Sequence, residues 1–221
     1  MALLSRSEPA ETVALIEPLG RRTLWVSLDL VKATPADLAA VVSTVSQVDG
    51  GLGRLDILVN NAGIIRRAPA AEHTAVDWDE VMKVNVDAVF YLSQAAGRHM
   101  LAQGGGRIIN VASMLSFQGG IRVPSYTAAK HAVLGVTRAL ANEWAGSGVN
   151  VNAIAPGYIV TDNTAPLRAD PDRARSIVER IPAGKWGVPE DLGGAVVFLA
   201  SDASAYVHGT VLPVDGGWLA R

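Results

Sequence analysis

Residues 107–157 read RIINVASMLSFQGGIRVPSYTAAKHAVLGVTRALANEWAGSGVNVNAIAPG. Arg107 to Ala112 is a nearly unbroken apolar run of strand length, Ser125 to Ala145 carries a helical pattern, and Val149 to Ala155 is apolar again and closed by Pro156-Gly157. Strands that are apolar at consecutive positions are buried on both faces, and a helix joining two of them is the connection that parallel pairing requires. The alternation continues outward. Leu24 to Leu28 predicts a strand ending at Asp29, and Thr34 to Val48 a helix with Thr34 as N-cap and Pro35 at its first position. Leu55 to Val59 predicts a short strand. Asp77 to Ala102 sets Val81, Val84, Ala88, Tyr91, Leu92 and Ala95 at helical spacing. Glu190 to Ala200 predicts a helix and Thr210 to Val214 a last strand. The pattern is that of an α/β protein with a parallel sheet. Ligands of such sheets bind beyond the carboxyl ends of the strands. That places Asp29, Asn60 to Gly63, Ser113 and Pro156 to Thr161 at candidate positions.

Composition narrows the function classes. The chain has 221 residues, 19 basic against 21 acidic side chains and 49% hydrophobic residues, enough for a sizeable core and against general disorder. A net charge of −2 offers no basic patch for nucleic acid. The absence of cysteine excludes disulfides, thiolate metal sites and a cysteine nucleophile, and suits a cytoplasmic location. No signal-peptide pattern and no uncharged apolar run of membrane-spanning length is found, so no membrane association is expected. The histidines His73, His99, His131 and His208 have no metal-ligand spacing, and no metal site is expected.

Tyr126 and Lys130 stand four apart on a predicted helix and share a face. A phenol is a poor base at neutral pH, and an adjacent ammonium favours the phenolate, so the pair can form a tuned acid/base; a solvated helix face is the bland alternative. Ser113 follows a buried strand and could hold a substrate oxygen beside the tyrosine, with Ser116 competing for that role or for the cap. Asn85 lies inside an apolar helical stretch, where an amide is costly unless it is bonded, either to structure or to a relay water.

The set Asn60-Asn-Ala-Gly63, Asn85, Ser113, Tyr126-x-x-x-Lys130 and Pro156-Gly157 resembles the short-chain dehydrogenase/reductase family over nearly the whole chain. The resemblance implies a Rossmann-like doubly wound parallel sheet in a single domain, 1–221. It implies hydride transfer between NAD or NADP and a carbinol carbon. In that reading Tyr126 is the acid/base, Lys130 lowers its pKa and holds the nicotinamide ribose, Ser113 orients the reacting oxygen, and Asn85 positions a relay water. Asp29 and Leu30 would flank the adenine, and Asn61, Ala62 and Gly63 would line the ribose and phosphate path. Ile159 and Thr161 would touch the carboxamide. The family resemblance also implies a homotetramer, with the two long helices and the C-terminal strand at the subunit contacts.

Longer strings, among them Asn60 to Arg67, Ala112 to Tyr126, Arg180 to Gly187 and Val214 to Arg221, resemble a subgroup of that family acting on sugar acids. A carboxylate substrate calls for a guanidinium. Arg67, Arg122 and Arg168 are the candidates, Arg122 favoured for its nearness to Tyr126. The segment Tyr158 to Lys185 could form a lid, with Trp186 just beyond it. One departure is plain: the family's opening strand, Gly-rich turn and helix are not found, and Ala2 to Arg6 reads as the end of its second strand. The expectation is therefore a chain lacking that first unit, roughly 30 residues, with strand edges left unpaired. Ser5-Arg6 leans to NADP and the subgroup to NAD. Two alternatives stay open, a catalytically incomplete short form acting as a structural or regulatory subunit, and an enzyme for another polyol or ketone.

Overall fold

A computed structural model of the chain describes residues 1–47 and 49–221, so the predicted helix end at Val48 lies outside the described residues. The unit expected from residues 107–157 is built as β4 (Gly106–Val111), α5 (Pro124–Trp144) and β5 (Val149–Pro156), with Ile108 opposite Val151 and Asn110 opposite Ala153 in parallel register. β3 (Ile57–Asn60) lies beside β4 and β6 (Val211–Val214) beside β5, giving the order β3-β4-β5-β6. Two further strands, β1 (Ala2–Ser5) and β2 (Leu24–Ser27), pair parallel in a separate sheet and are connected through α1 (Ala10–Ile16).

Side-chain alternation sorts the core into two layers. Ile108, Val149 and Val151 pack with Leu38 and Val42 of α2 (Pro35–Ser46), Leu92 and Met100 of α4 (Ala88–Gln103), and Leu140 and Trp144 of α5. Ile109 and Ile154 face the opposite way, onto Leu199 of α8 (Gly193–Ala200). Helices thus cover both faces, the doubly wound arrangement. α2 begins where its cap predicts: Asp37 N–H donates to Thr34 Oγ1 at 3.2 Å, and Thr34 N–H donates back to the Asp37 carboxylate at 2.8 Å.

Two expectations are corrected. The helical pattern of residues 77–102 is not one α-helix. It is α3 (Ala75–Met82), capped by Thr74, then a single π-helical turn over Lys83–Asp87 that contains Asn85, then α4. α8 starts only at Gly193, because Pro189–Leu192 forms a 3₁₀ turn first. The sheet divides in two, in keeping with the expectation of unpaired strand edges. Among the described residues β1 is bonded to β2 alone and β3 to β4 alone, so no ladder crosses between β1 and β3. A cleft of about 780 Å³ lies there, lined by Leu3, Leu4, Val42, Leu58, Val59 and Val197, with Val59 and Val197 left exposed. The expected unpaired strand edges lie along this cleft. Between β5 and α8, residues 158–185 hold α6 (Ala165–Arg168) and α7 (Pro171–Arg180); the Asp170 carboxylate caps α7 by accepting from the N–H groups of Asp172 and Arg173, each at 3.1 Å. No helix among the described residues is long and apolar enough to cross a membrane.

Candidate active site

Segments beyond the carboxyl ends of β4 and β5 line one cavity, and Ser113 and Tyr126 reach it for local reasons. β4 ends at Val111, and Ala112-Ser113 follow it. Ser113 is extended and caps the turn Met114–Ser116, its hydroxyl accepting from Leu115 N–H at 3.1 Å. Ser116 is turned away into α5: its hydroxyl accepts from Ser113 N–H at 3.2 Å and donates to Lys130 C=O at 2.7 Å. Of the two serines, Ser113 lines the cavity.

Tyr126 and Lys130 occupy successive turns of α5, with the ammonium 5.5 Å from the centroid of the phenol ring. The Lys130 Nζ donates to Val111 C=O at 2.6 Å, and burial lowers its pKa from 10.5 to about 8. Burial pushes the Tyr126 phenol above its ordinary value; the Ser113 hydroxyl and the Arg67 guanidinium act the other way, in that order. Asn85 is fully buried. Its amide is matched to a single residue, donating to Ile64 C=O and accepting from Ile64 N–H, both at 2.9 Å. A π turn recurs at functional sites because it lets one helical residue project out of register. Gly63 adjoins both groups, since a Cβ there would lie 3.5 Å from Asn85 Oδ1 and 3.9 Å from Lys130 Nζ.

Below this cluster runs a buried polar chain from Asn60, whose other members Ser93, Asn110 and Thr137 sequence reading did not single out. Asn60 Nδ2 donates to Asn110 Oδ1 at 2.8 Å and Ser93 Oγ at 2.9 Å, and Asn110 Nδ2 donates to Thr137 Oγ1 at 2.9 Å. It ties β3, β4, α4 and α5 together just under the site. The available signal was an asparagine in each of two apolar strands, brought opposite by register.

The other candidates are more dispersed. Leu30, Asn61 and Ala62 line the apolar cleft between the sheets. The Asp29 carboxylate accepts from Val31 N–H at 3.1 Å. Ile159 is buried and bridged to Gly187, whereas Thr161 is exposed and caps the turn Asp162–Thr164.

The cavity beside Ser113 and Tyr126 has a volume of about 330 Å³. Its charged lining groups are Arg67, Arg173 and Arg180; no Asp, Glu or Lys lines it. Arg67 donates to Asn163 C=O at 2.7 Å, and partial burial lowers its pKa. The preference for Arg122 is corrected. Arg122 stands at φ 64° in a left-handed turn whose carbonyl accepts from Ala68 N–H at 3.1 Å, and its side chain does not line the cavity. Arg168 donates to Thr161 C=O at 3.3 Å and is likewise outside. Trp186 stacks edge-on against Tyr158 at 5.3 Å from behind, while Trp218 does so at 4.8 Å from the cavity wall. Trp218 is set by the turn after β6. The Asp215 carboxylate accepts from Gly217 and Leu219 N–H, each at 2.9 Å, and Gly216 and Gly217 take φ of 64° and 88°. Tyr158, Arg173 and Arg180 fall in the segment read as a candidate lid without being named individually, and Trp218 was missed as a site residue; the Asp-Gly-Gly turn was the one local signal for it.

Comparison with known proteins follows the same lines. Residues 2–219 match the family described as enoyl-(acyl carrier protein) reductase. The chain is 57% identical over 215 residues to the 2-dehydro-3-deoxy-D-gluconate 5-dehydrogenase of Escherichia coli (strain K12), covering 97% of this chain and 83% of the relative. It is 54% identical over 216 residues to the enzyme of that name from Bacillus subtilis (strain 168), covering 97% and 82%. Among solved structures it is similar to a gluconate 5-dehydrogenase from Burkholderia cenocepacia J2315 in complex with NADP and tartrate, at a TM-score of 0.92 and 36% identity, covering 100% of this chain and 85% of that one.

Proposed function

From a chain that belongs to the short-chain dehydrogenase/reductase family and is a dehydrogenase acting on a hydroxyl group, we propose an enzyme that transfers a hydride between NADP or NAD and a hydroxyl or ketone of a six-carbon sugar acid. Its preferred substrate is 2-dehydro-3-deoxy-D-gluconate or 2-deoxy-D-gluconate. The observation that carries this reading is the cavity itself: two reactive hydroxyls, Ser113 and Tyr126, on a wall whose charged groups are all guanidinium. The names of the relatives support the substrate, and the NADP bound to one structural neighbour supports the cofactor.

The donor set fits the nicotinamide half of the cofactor. Lys130 has one bonded partner, Val111 C=O, which leaves ammonium hydrogens for a ribose diol beside Gly63. No strand among the described residues ends in a Gly-rich turn that opens a helix, so these residues supply no pyrophosphate cradle. When bound, the nicotinamide supplies the hydride chemistry. Tyr126 exchanges the hydroxyl proton with the substrate oxygen, and Ser113 holds that oxygen in line. Lys130 fixes the ribose, and Asn85 carries the relay that renews the tyrosine proton. Asp29, Leu30, Asn61, Ala62, Ile159 and Thr161 are assigned to the remaining cofactor contacts. A cytoplasmic homotetramer completes the reading, on family resemblance.

The test is turnover of a panel of sugar acids and neutral polyols by the wild type and Tyr126→Phe. The variant should lose roughly 10²- to 10⁴-fold in kcat, the span of a general acid/base, while still binding NADPH by nicotinamide fluorescence. Full activity of Tyr126→Phe, or turnover of neutral polyols in preference to every acid, would overturn the proposal.

A further inference from the structure

We infer that the substrate carboxylate is received by the inner face of α7, between Arg173 and Arg180, with the indole N–H of Trp218 beside them. The inference rests on the sugar-acid reading above and names the groups that recognise the acid.

Residues 173, 176, 177 and 180 follow the i, i+3, i+4, i+7 spacing of one helical face, and all four line the cavity. That face presents a guanidinium at each end, with Ser176 and Ile177 between them. The helix's own carboxylates are engaged elsewhere or lie outside the cavity: Asp170 caps the N-terminus, Asp172 pairs with Arg175 on the outer side, and Glu179 does not line the cavity. Neither Arg173 nor Arg180 has an ion-pair partner among the described residues, whereas Arg54, Arg66, Arg107 and Arg175 do. Arg180 is held ready by packing. Its guanidinium lies 3.9 Å from the Trp218 ring centroid, and its own carbonyl accepts from Arg221 Nε at 3.1 Å and Nη2 at 2.6 Å, which closes the C-terminus of α7.

A second observation is independent of the arginines. Trp218 is 4% exposed, lines the cavity, and its Nε1–H has no partner. A buried donor without an acceptor is unfavourable, so this one is suited to an oxygen that arrives with the ligand.

Position separates these groups from Arg67. Arg67 is the guanidinium that acts on Tyr126, whereas Arg173 and Arg180 are those that act on Tyr158. A carboxylate at Arg67 would sit next to the reacting oxygen, as in a 2-hydroxy acid. A carboxylate at α7 would instead lie on the Tyr158 and Trp218 side of the cavity, apart from the hydroxyl held at Ser113 and Tyr126.

The test compares Arg173→Gln, Arg180→Gln, Arg180→Lys and Arg67→Gln with the best sugar acid of the wild-type panel. Folding is checked by circular dichroism and NADPH affinity. Each glutamine variant on α7 should raise KM about 10- to 100-fold, the scale of a charged hydrogen bond lost, and leave kcat within about threefold. Arg180→Lys should recover part of the affinity, and serves if Arg180→Gln does not fold. Without cofactor, D-gluconate but not D-glucitol should quench the tryptophan fluorescence, and Arg180→Gln should abolish the quench. Unchanged KM in both α7 variants with a raised KM in Arg67→Gln would overturn this inference and leave the sugar-acid reading standing. A wild type that accepts no sugar acid would overturn both.

Discussion

Lys130 is the one charged side chain among the buried described residues, 4% exposed, with its ammonium donating to Val111 C=O. Its pKa falls from 10.5 to about 8 through burial. A depressed lysine makes stability depend on pH in a defined direction. Below about pH 8 both states are protonated and the native state carries the full cost of a buried ammonium. Between about pH 8 and 10.5 the native state gives up the proton first. The unfolded chain then binds more protons, so stability rises with pH. A shift of about 2.5 units corresponds to roughly 3 kcal/mol, of which about 2 kcal/mol is gained between about pH 7 and 9.5.

The perturbation is Lys130→Met, which keeps the chain's length and removes the charge. The variant leaves Val111 C=O without its donor, a loss that does not vary with pH. Urea unfolding of both proteins at intervals across this pH range gives the difference in stability, in which the other titrating groups cancel. The wild type should gain about 2 kcal/mol on the variant as pH rises. Parallel profiles would show that the ammonium is not desolvated, and a relative loss with pH would show that its pKa is raised; either refutes the reasoning.

Other perturbations probe the scaffold. Asn85→Leu should cost about 2–5 kcal/mol in urea unfolding, because the N–H and C=O of Ile64 both lose their partner. A methyl at Gly97 would lie 2.4 Å from Trp144 Cη2 and 2.6 Å from Cζ3. Gly97→Ala should therefore cost about 1–3 kcal/mol by overpacking, and combination with Trp144→Phe should recover part of it in a double-mutant cycle read by thermal unfolding.

What was legible in the sequence was what is local. Thr34-Pro35 marks the start of α2 because a cap satisfies N–H groups within its own turn. The apolar runs of β4 and β5 mark a parallel sheet because burial on both faces leaves no polar alternation. Tyr126 and Lys130 could be paired from spacing alone, since a helix brings residues four apart together whatever surrounds it. Where the reading failed, a local pattern had more than one tertiary solution. Val81 to Phe90 is helical by periodicity, yet the π turn exists because Asn85 reaches Ile64, 21 residues away. Arg122 is near Tyr126 in sequence, but a left-handed turn directs the loop elsewhere, and two arginines about 50 residues downstream take the cavity wall instead.

By itself, then, the sequence determined the α/β class, the positions of most elements and the acid/base helix, all governed by short-range periodicity, capping and burial. The tertiary structure alone decided which guanidinium groups and which aromatic rings gather at the cavity. Those depend on how α7 and the Asp215-Gly-Gly-Trp218 turn pack beside β5, and chain spacing carries no record of that packing.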